Sequence, residues 1–215
     1  IIVVSDGSQD KTAEIVLQEI KKIKNLKLIS YQPNRGKGYA VKRGLLAGKN
    51  EIIAFTDADL STPIEEMDKL LTKINEENYQ IAVGSRALKE SKIIAPPSFF
   101  RDKLGRLFGV LIRFLVLSRP IDTQCGFKAF KKEIAQNLFQ CNFTPSAIWD
   151  VEILLLAVLK DYSIAEVPVV WQHAPVTRLP YNFSKALKIF WELLKIKKHY
   201  KIWLPLKAKK NERKS

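Results

Sequence analysis

The sequence predicts an α/β protein built on a mostly parallel, Rossmann-like sheet flanked by helices. Three observations point there. Apolar strand-like runs alternate with helical periodicities through the first third of the chain. The first of these runs, Ile1–Val4, is continuously apolar, as in a strand buried on both faces. Acidic and glycine-rich turns follow the strands, where ligands of such sheets bind.

Ile1–Val4 reads as the first strand, closed by Asp6-Gly7-Ser8. Ser8 is placed to cap the next helix, which carries Ala13, Val16, Leu17, Ile20 and Ile23 at helical spacing. Leu26–Tyr31 is a second strand, broken by Pro33-Asn34-Arg35-Gly36. Ala40, Val41, Gly44, Leu45 and Ala47 mark a second helix, ended by Gly48. Glu51–Thr56 is a third strand running into Asp57-Ala58-Asp59, and Pro63 opens a helix through about Asn75. Ile81–Val83 leads into Gly84-Ser85-Arg86. Beyond it the pattern predicts a helix over Leu104–Leu117, a strand within Asp122–Phe130, a buried helix over Val151–Lys160 and a strand over Ile164–Trp171. Pro175 and Pro180 mark a linker to a basic, aromatic helix over Ser184–His199.

Charge divides the chain. Of a net charge of +14, +9 falls between Ser184 and Ser215, where 11 basic residues face 2 acidic ones. That distribution argues against a uniformly basic nucleic-acid-binding body. The tail interleaves Phe183, Leu187, Phe190, Trp191, Leu194 and Trp203 with six lysines, the pattern of a helix lying in a membrane interface. A core-packed helix with a solvated lysine face is the competing reading. The most apolar stretch, Val151–Leu159, is interrupted by Glu152 and is far short of the roughly 20 residues that span a bilayer. The expected division is therefore a domain over 1–183 and a membrane-interface tail over 184–215. Two cysteines, Cys125 and Cys141, make neither a disulfide framework nor a zinc site. The sequons at Asn142 and Asn182 read as accidental.

Asp57 and Asp59, one residue apart after a buried strand, can bind a divalent cation that also holds a diphosphate. A solvated turn is the alternative. Asp6 can accept hydrogen bonds from a nucleoside, or it can simply form the turn before Gly7. Asn34-Arg35-Gly36-Lys37-Gly38 precedes a helix and combines close backbone approach with cationic charge, which suits phosphate. Asp150 and Glu152 lie at the start of an apolar helix, suited either to acid–base or orienting chemistry or to helix capping.

The ordered series Val4-Ser-Asp-Gly-Ser8, Asn34-Arg-Gly-Lys-Gly38, Asp57-Ala-Asp-Leu-Ser61, Val83-Gly-Ser-Arg86, Asp122-Thr-Gln-Cys-Gly-Phe-Lys128, Trp149-Asp-Val-Glu152 and Glu166-Val-Pro-Val169 resembles the family 2 inverting glycosyltransferases of GT-A fold. Within them it is most similar to the branch of dolichyl-phosphate β-glucosyltransferases and mannose synthases. The resemblance covers about residues 1 to 190. It implies transfer of glucose or mannose from UDP-glucose or GDP-mannose to a polyprenyl phosphate, at the cytoplasmic face of a membrane. It implies donor binding by Asp6, Lys37, Asp57 and Asp59, with Mg²⁺ or Mn²⁺ held by Asp57 and Asp59. Asp122 and Asp150 would line the transfer site. Arg86, Arg101, Lys103 and Lys128 would hold the acceptor phosphate. The chain departs from the family at Ser5, where an Asp is usual, and lacks the opening Pro-x-Tyr-Asn-Glu strand. The expected sheet is therefore short of its first strand and helix. A polysaccharide or other glycan acceptor, and a non-catalytic nucleotide- or nucleic-acid-binding protein, are the rival functions.

Overall fold

The computed structural model describes residues 1–95, 99–141, 144, 148–172, 183–202 and 206–207. The Pro175/Pro180 linker, Trp203 and both sequon asparagines fall outside them. Among the described residues the strands are β1 (Ile2–Asp6), β2 (Lys27–Tyr31), β3 (Ile52–Thr56), β4 (Ile81–Ser85), β5 (Lys92–Ala95), β6 (Leu117–Arg119), β7 (Phe127–Lys131), β8 (Ile164–Pro168), β9 (Val170–Gln172) and β10 (Leu206–Lys207). The helices are α1 (Thr12–Ile20), α2 (Lys37–Leu46), α3 (Met67–Asn75), α4 (Phe99–Leu115), α5 (Lys132–Cys141), α6 (Trp149–Leu159) and α7 (Phe183–His199).

The central sheet has the order β3-β7-β4-β8. β4 and β8 are parallel, and β7 runs antiparallel to both of its neighbours. β1 and β2 pair in parallel as a separate sheet. The α/β alternation and mostly parallel sense are as expected, with β7 the exception to a wholly parallel sheet. That reversal matters for the site. It brings the loop entering β7 to the same sheet edge as the carboxyl ends of β3 and β4, with Thr56 opposite Phe127.

Side-chain alternation sorts the core into two layers. Ile53, Ile81, Val83 and Phe130 face α5, α6 and α7, whereas Ala82, Phe127, Ala129, Ala165 and Val167 face Leu70 and Ile74 of α3. Helix α6, apolar but for Asp150 and Glu152 in its first turn, is buried from Trp149 to Ala157, so it forms the centre of one layer. Trp149 meets Phe55 edge-on, with ring centroids 5.4 Å apart. One helix, α2, lies against both β1 and β3: Gly44 approaches Val4, and Gly48 approaches Ile53.

Three local expectations are corrected. The helix after β1 is not capped by Ser8. It begins at Thr12, whose amide donates to Asp10 Oδ1 at 3.1 Å. The expected strand Ile164–Trp171 is two strands, divided at Val169, and β9 leaves the central sheet to pair with β5. The boundary expected at residue 183 does not separate two cores, because Leu193, Ile196 and Ile202 are buried in the same cluster as Trp149 and Ile153. Tyr200 is anchored as well, donating its hydroxyl to Glu152 Oε1 at 2.7 Å, while Glu152 Oε2 accepts the Thr144 amide at 2.8 Å.

The inner face of α7 therefore belongs to the domain. Ile196→Ala is expected to cost about 3 kcal/mol of stability, as for other large-to-small core changes. Denaturant unfolding followed by Trp fluorescence checks it. A midpoint equal to wild type would mean that α7 does not belong to the core.

Candidate active site

The first pole of the site is the turn after β3. The Asp57 amide donates to Gly126 O at 3.0 Å, and its Oδ1 lies 2.7 Å from Lys37 Nζ. Gly126 is required there, since a Cβ would overlap Asp57 Oδ2. Asp59 is exposed and accepts the Ser61 amide at 3.0 Å through Oδ1. Leu60 between them adopts a left-handed φ of 49°, uncommon for a non-glycine residue. Thr56, Asp57, Ser61, Thr62, Gly126 and Trp171 line a narrow cleft at this point.

Asp6, at the end of β1, organises the neighbouring loop. Its two carboxylate oxygens accept the Arg35 and Gly36 amides at 2.8 and 2.9 Å, and its carbonyl accepts Asn34 Nδ2 at 2.7 Å. The loops fit because Gly7 and Gly36 take φ of 67° and 94°, and a Cβ on Gly7 would strike the Asn34 backbone. Asp6 thereby fixes the start of α2, whose first residue is Lys37.

The second pole is a two-pronged ion pair. Arg86 Nε and Nη2 donate to Asp122 Oδ2 and Oδ1 at 2.7 and 2.9 Å, and the Arg86 amide adds a third bond at 3.0 Å. Burial alone would raise the Asp122 carboxyl, but the charge and hydrogen bonds of Arg86 outweigh it and hold the carboxyl below its ordinary range. The Asp122 backbone is held in turn by Glu166, whose Oε1 accepts the Ile121 and Asp122 amides at 2.8 and 3.1 Å. The guanidinium lies 5.5 Å from the Trp171 ring centroid.

Between the poles sits a buried charge cluster. Asp150 is 6% exposed, and its Oδ1 accepts the Val151 amide at 2.8 Å. Burial pushes its carboxyl upward, opposed by Lys128 and Lys37. Lys128 is fully buried, donates to the Cys125 carbonyl and lies 5.4 Å from the Trp149 ring centroid. Burial lowers its ammonium, opposed by Asp150 and then by Cys125 and Asp122. Burial followed by the Asp122 charge raises the Cys125 thiol to about 11, so it is no nucleophile at neutral pH.

The structure thus gathers Lys37, Asp57, Arg86, Asp122, Lys128 and Asp150 around one sheet edge. It corrects the expectation for Lys128, which lies beneath the site and presents no ammonium to a solvent-borne phosphate. Arg101 and Lys103 lie on α4, in a stretch whose side chains are outside the described residues. Glu166 and Gly126 carry functions that the sequence reading did not assign. A charge inside an otherwise apolar strand was the available signal for Glu166.

Among the described residues no three His, Cys, Asp or Glu side chains converge on one point. The Asp-x-Asp turn supplies carboxylate oxygens alone. That donor set fits a hard cation which keeps several waters and takes its remaining ligands from a bound phosphate, as Mg²⁺ and Mn²⁺ do.

This is a GT-A architecture with an acidic strand-end site. Residues 1–139 match the family described as Glycosyl transferase family 2, and the chain belongs to that family. It is 35% identical over 206 residues to a dolichyl-phosphate beta-glucosyltransferase of Dictyostelium discoideum, covering 93% of this chain and 63% of that protein. Its identity to the Homo sapiens protein of the same description is 34% over 207 residues, covering 93% and 64%. The chain thus spans somewhat less than two thirds of these relatives. Among solved structures it resembles glucosyl-3-phosphoglycerate synthase from Mycobacterium tuberculosis in complex with Mg²⁺ and UDP (TM-score 0.60, 18% identity, 91% of this chain and 67% of the other). It also resembles a mannosyltransferase from Pyrobaculum calidifontis in complex with GDP-Man and Mn²⁺ (TM-score 0.54, 20% identity, 82% and 48%).

Proposed function

We propose that this chain transfers a hexose, glucose or mannose, from a nucleoside-diphosphate sugar to a dolichyl-type polyprenyl phosphate, with inversion at the anomeric carbon. The observation that carries this reading is the meeting of Asp57, the Arg86–Asp122 pair and Asp150 at one sheet edge. The likeness to dolichyl-phosphate beta-glucosyltransferases along most of the chain supports the choice of acceptor.

An acceptor phosphate is already ionised at neutral pH, so the site does not need a strong base. Its oxygen forms the new bond to the anomeric carbon while the bond to the donor diphosphate breaks, and the nucleoside diphosphate leaves. Arg86, kept in place by Asp122, offers its outward guanidinium surface to the acceptor phosphate. Asp150, buried and tied to its own helix, offsets the charge of Lys128 and Lys37 behind the site rather than taking a proton. Asp57 and Asp59 would hold Mg²⁺ or Mn²⁺, which supplies charge stabilisation to the leaving diphosphate when bound.

The membrane reading of residues 184–215 belongs here too, for the outer face of α7. Leu187 and Trp191 are 48% and 56% exposed and are accompanied by exposed Lys188, Lys195 and Lys198. Leu107 and Phe114 on α4 are exposed as well. No helix of the described residues is long and apolar enough to cross a membrane. Leu187→Glu with Trp191→Glu is expected to weaken vesicle binding about tenfold or more through lost apolar burial. Sedimentation with anionic vesicles measures this, and thermal unfolding should stay at the wild-type midpoint. Unchanged sedimentation would remove α7 from the membrane contact.

The function is tested by a matrix of sugar-labelled UDP-glucose and GDP-mannose against dolichyl phosphate, undecaprenyl phosphate, an oligosaccharide and no acceptor, each with Mn²⁺ or EDTA. Label in a polyprenyl lipid supports the reading. Label in the oligosaccharide alone would replace it with a glycan acceptor.

A further inference from the structure

Lys37 stands where donor and cation would meet. Its ammonium lies 2.7 Å from Asp57 Oδ1 and 5.7 Å from the Phe55 ring centroid. The two side chains differ in freedom. The Asp57 backbone is held by the hydrogen bond from its amide to the Gly126 carbonyl, and its short side chain packs where a Gly126 Cβ would stand. Lys37 is on the first turn of α2, with its side chain 48% exposed on a flexible four-carbon stem. Water reaches the pair, so the contact is weak enough to be given up.

We propose that Lys37 is an exchangeable counter-ion of Asp57. It holds the carboxylate in the free protein, yields it to the divalent cation, and turns to the donor diphosphate. This rests on the reading above that Asp57 is a cation ligand. The consequence is coupled binding. A cation arriving alone must displace Lys37 from its 2.7 Å contact with Asp57 and leave it only the longer-range attraction of the buried Asp150. A cation arriving with a nucleoside diphosphate brings Lys37 a new one. Cation and diphosphate therefore strengthen each other, and by linkage each does so by the same factor.

The test is calorimetric titration of Mn²⁺ into the chain, with and without UDP or GDP, for wild type, Lys37→Met and Lys37→Gln. Lys37 is half exposed, so both variants should keep the wild-type unfolding midpoint. Each is expected to bind Mn²⁺ alone about two- to fivefold more tightly than wild type, the scale of one lost surface ion pair. Each should also bind the nucleoside diphosphate more weakly in the presence of Mn²⁺, so that the mutual enhancement shrinks. Lys37→Arg, which keeps the charge, should bind Mn²⁺ alone as wild type does. Equal or weaker Mn²⁺ binding by Lys37→Met, or a full wild-type enhancement in it, overturns the exchange while leaving the cation site intact. Failure of wild type to bind Mn²⁺ even with nucleotide overturns the cation reading itself.

Discussion

Asp122→Asn is expected to lower transfer by about 100-fold or more and to destabilise the chain by about 3 kcal/mol. The amide nitrogen of Asn would face Arg86, which has donors alone, so one prong of the pair becomes a donor–donor contact. Arg86 then swings from the position in which it can meet a phosphate. The stability effect carries a pH signature. Arg86 holds the Asp122 carboxyl below the value it has in an unfolded chain. The pair's contribution is therefore complete above the ordinary carboxylate range, about pH 4, and fades as pH falls through the lower folded-state value. Wild type should lose stability on acidification more steeply than Asp122→Asn, and the two should converge at low pH. Chemical denaturation at a series of pH values measures this. A pH-independent difference between them would mean that the pair contributes no charge-dependent stability.

Gly126→Ala is the second large effect, and it replaces no charged residue. The added methyl would overlap Asp57 Oδ2. Either the carboxylate turns away, or the loop before β7 retreats and the hydrogen bond from the Asp57 amide to the Gly126 carbonyl is lost with it. Mn²⁺-dependent nucleotide binding should fall by about tenfold or more, as for Asp57→Ala, from a misplacement of about 1 Å. Calorimetry on both variants checks the match. Gly126→Ala with wild-type nucleotide affinity would show that Asp57 does not hold the donor.

The parts of this account legible in the sequence are those with a local cause. Alternating helical and strand periodicity predicts the α/β class, and a paired acidic turn after a buried strand marks Asp57 and Asp59. Strand direction has no local cause. Phe127–Lys131 is buried on both faces whichever way it runs, so its antiparallel sense, and the arrival of Asp122 and Gly126 at the site, depend on long-range pairing. Lys128 misleads for the same reason. A lysine usually carries its ammonium to water, but the pleat of β7 turns this one toward Trp149 and Asp150. The tail shows the reverse difficulty. Its lysines and aromatics read as a surface helix, while Leu193 and Ile196 on the opposite side are core residues. One periodicity serves both faces.

The most direct test is the product formed from UDP-α-glucose, dolichyl phosphate and Mn²⁺ in anionic vesicles. The anomeric proton coupling of the purified lipid reports its configuration. The account predicts a β-linked glycosyl phosphate, from UDP-glucose or, in the parallel reaction, from GDP-mannose, formed by wild type and nearly absent with Asp122→Asn. An α-linked product, or no sugar on the lipid with either UDP-glucose or GDP-mannose, would contradict it.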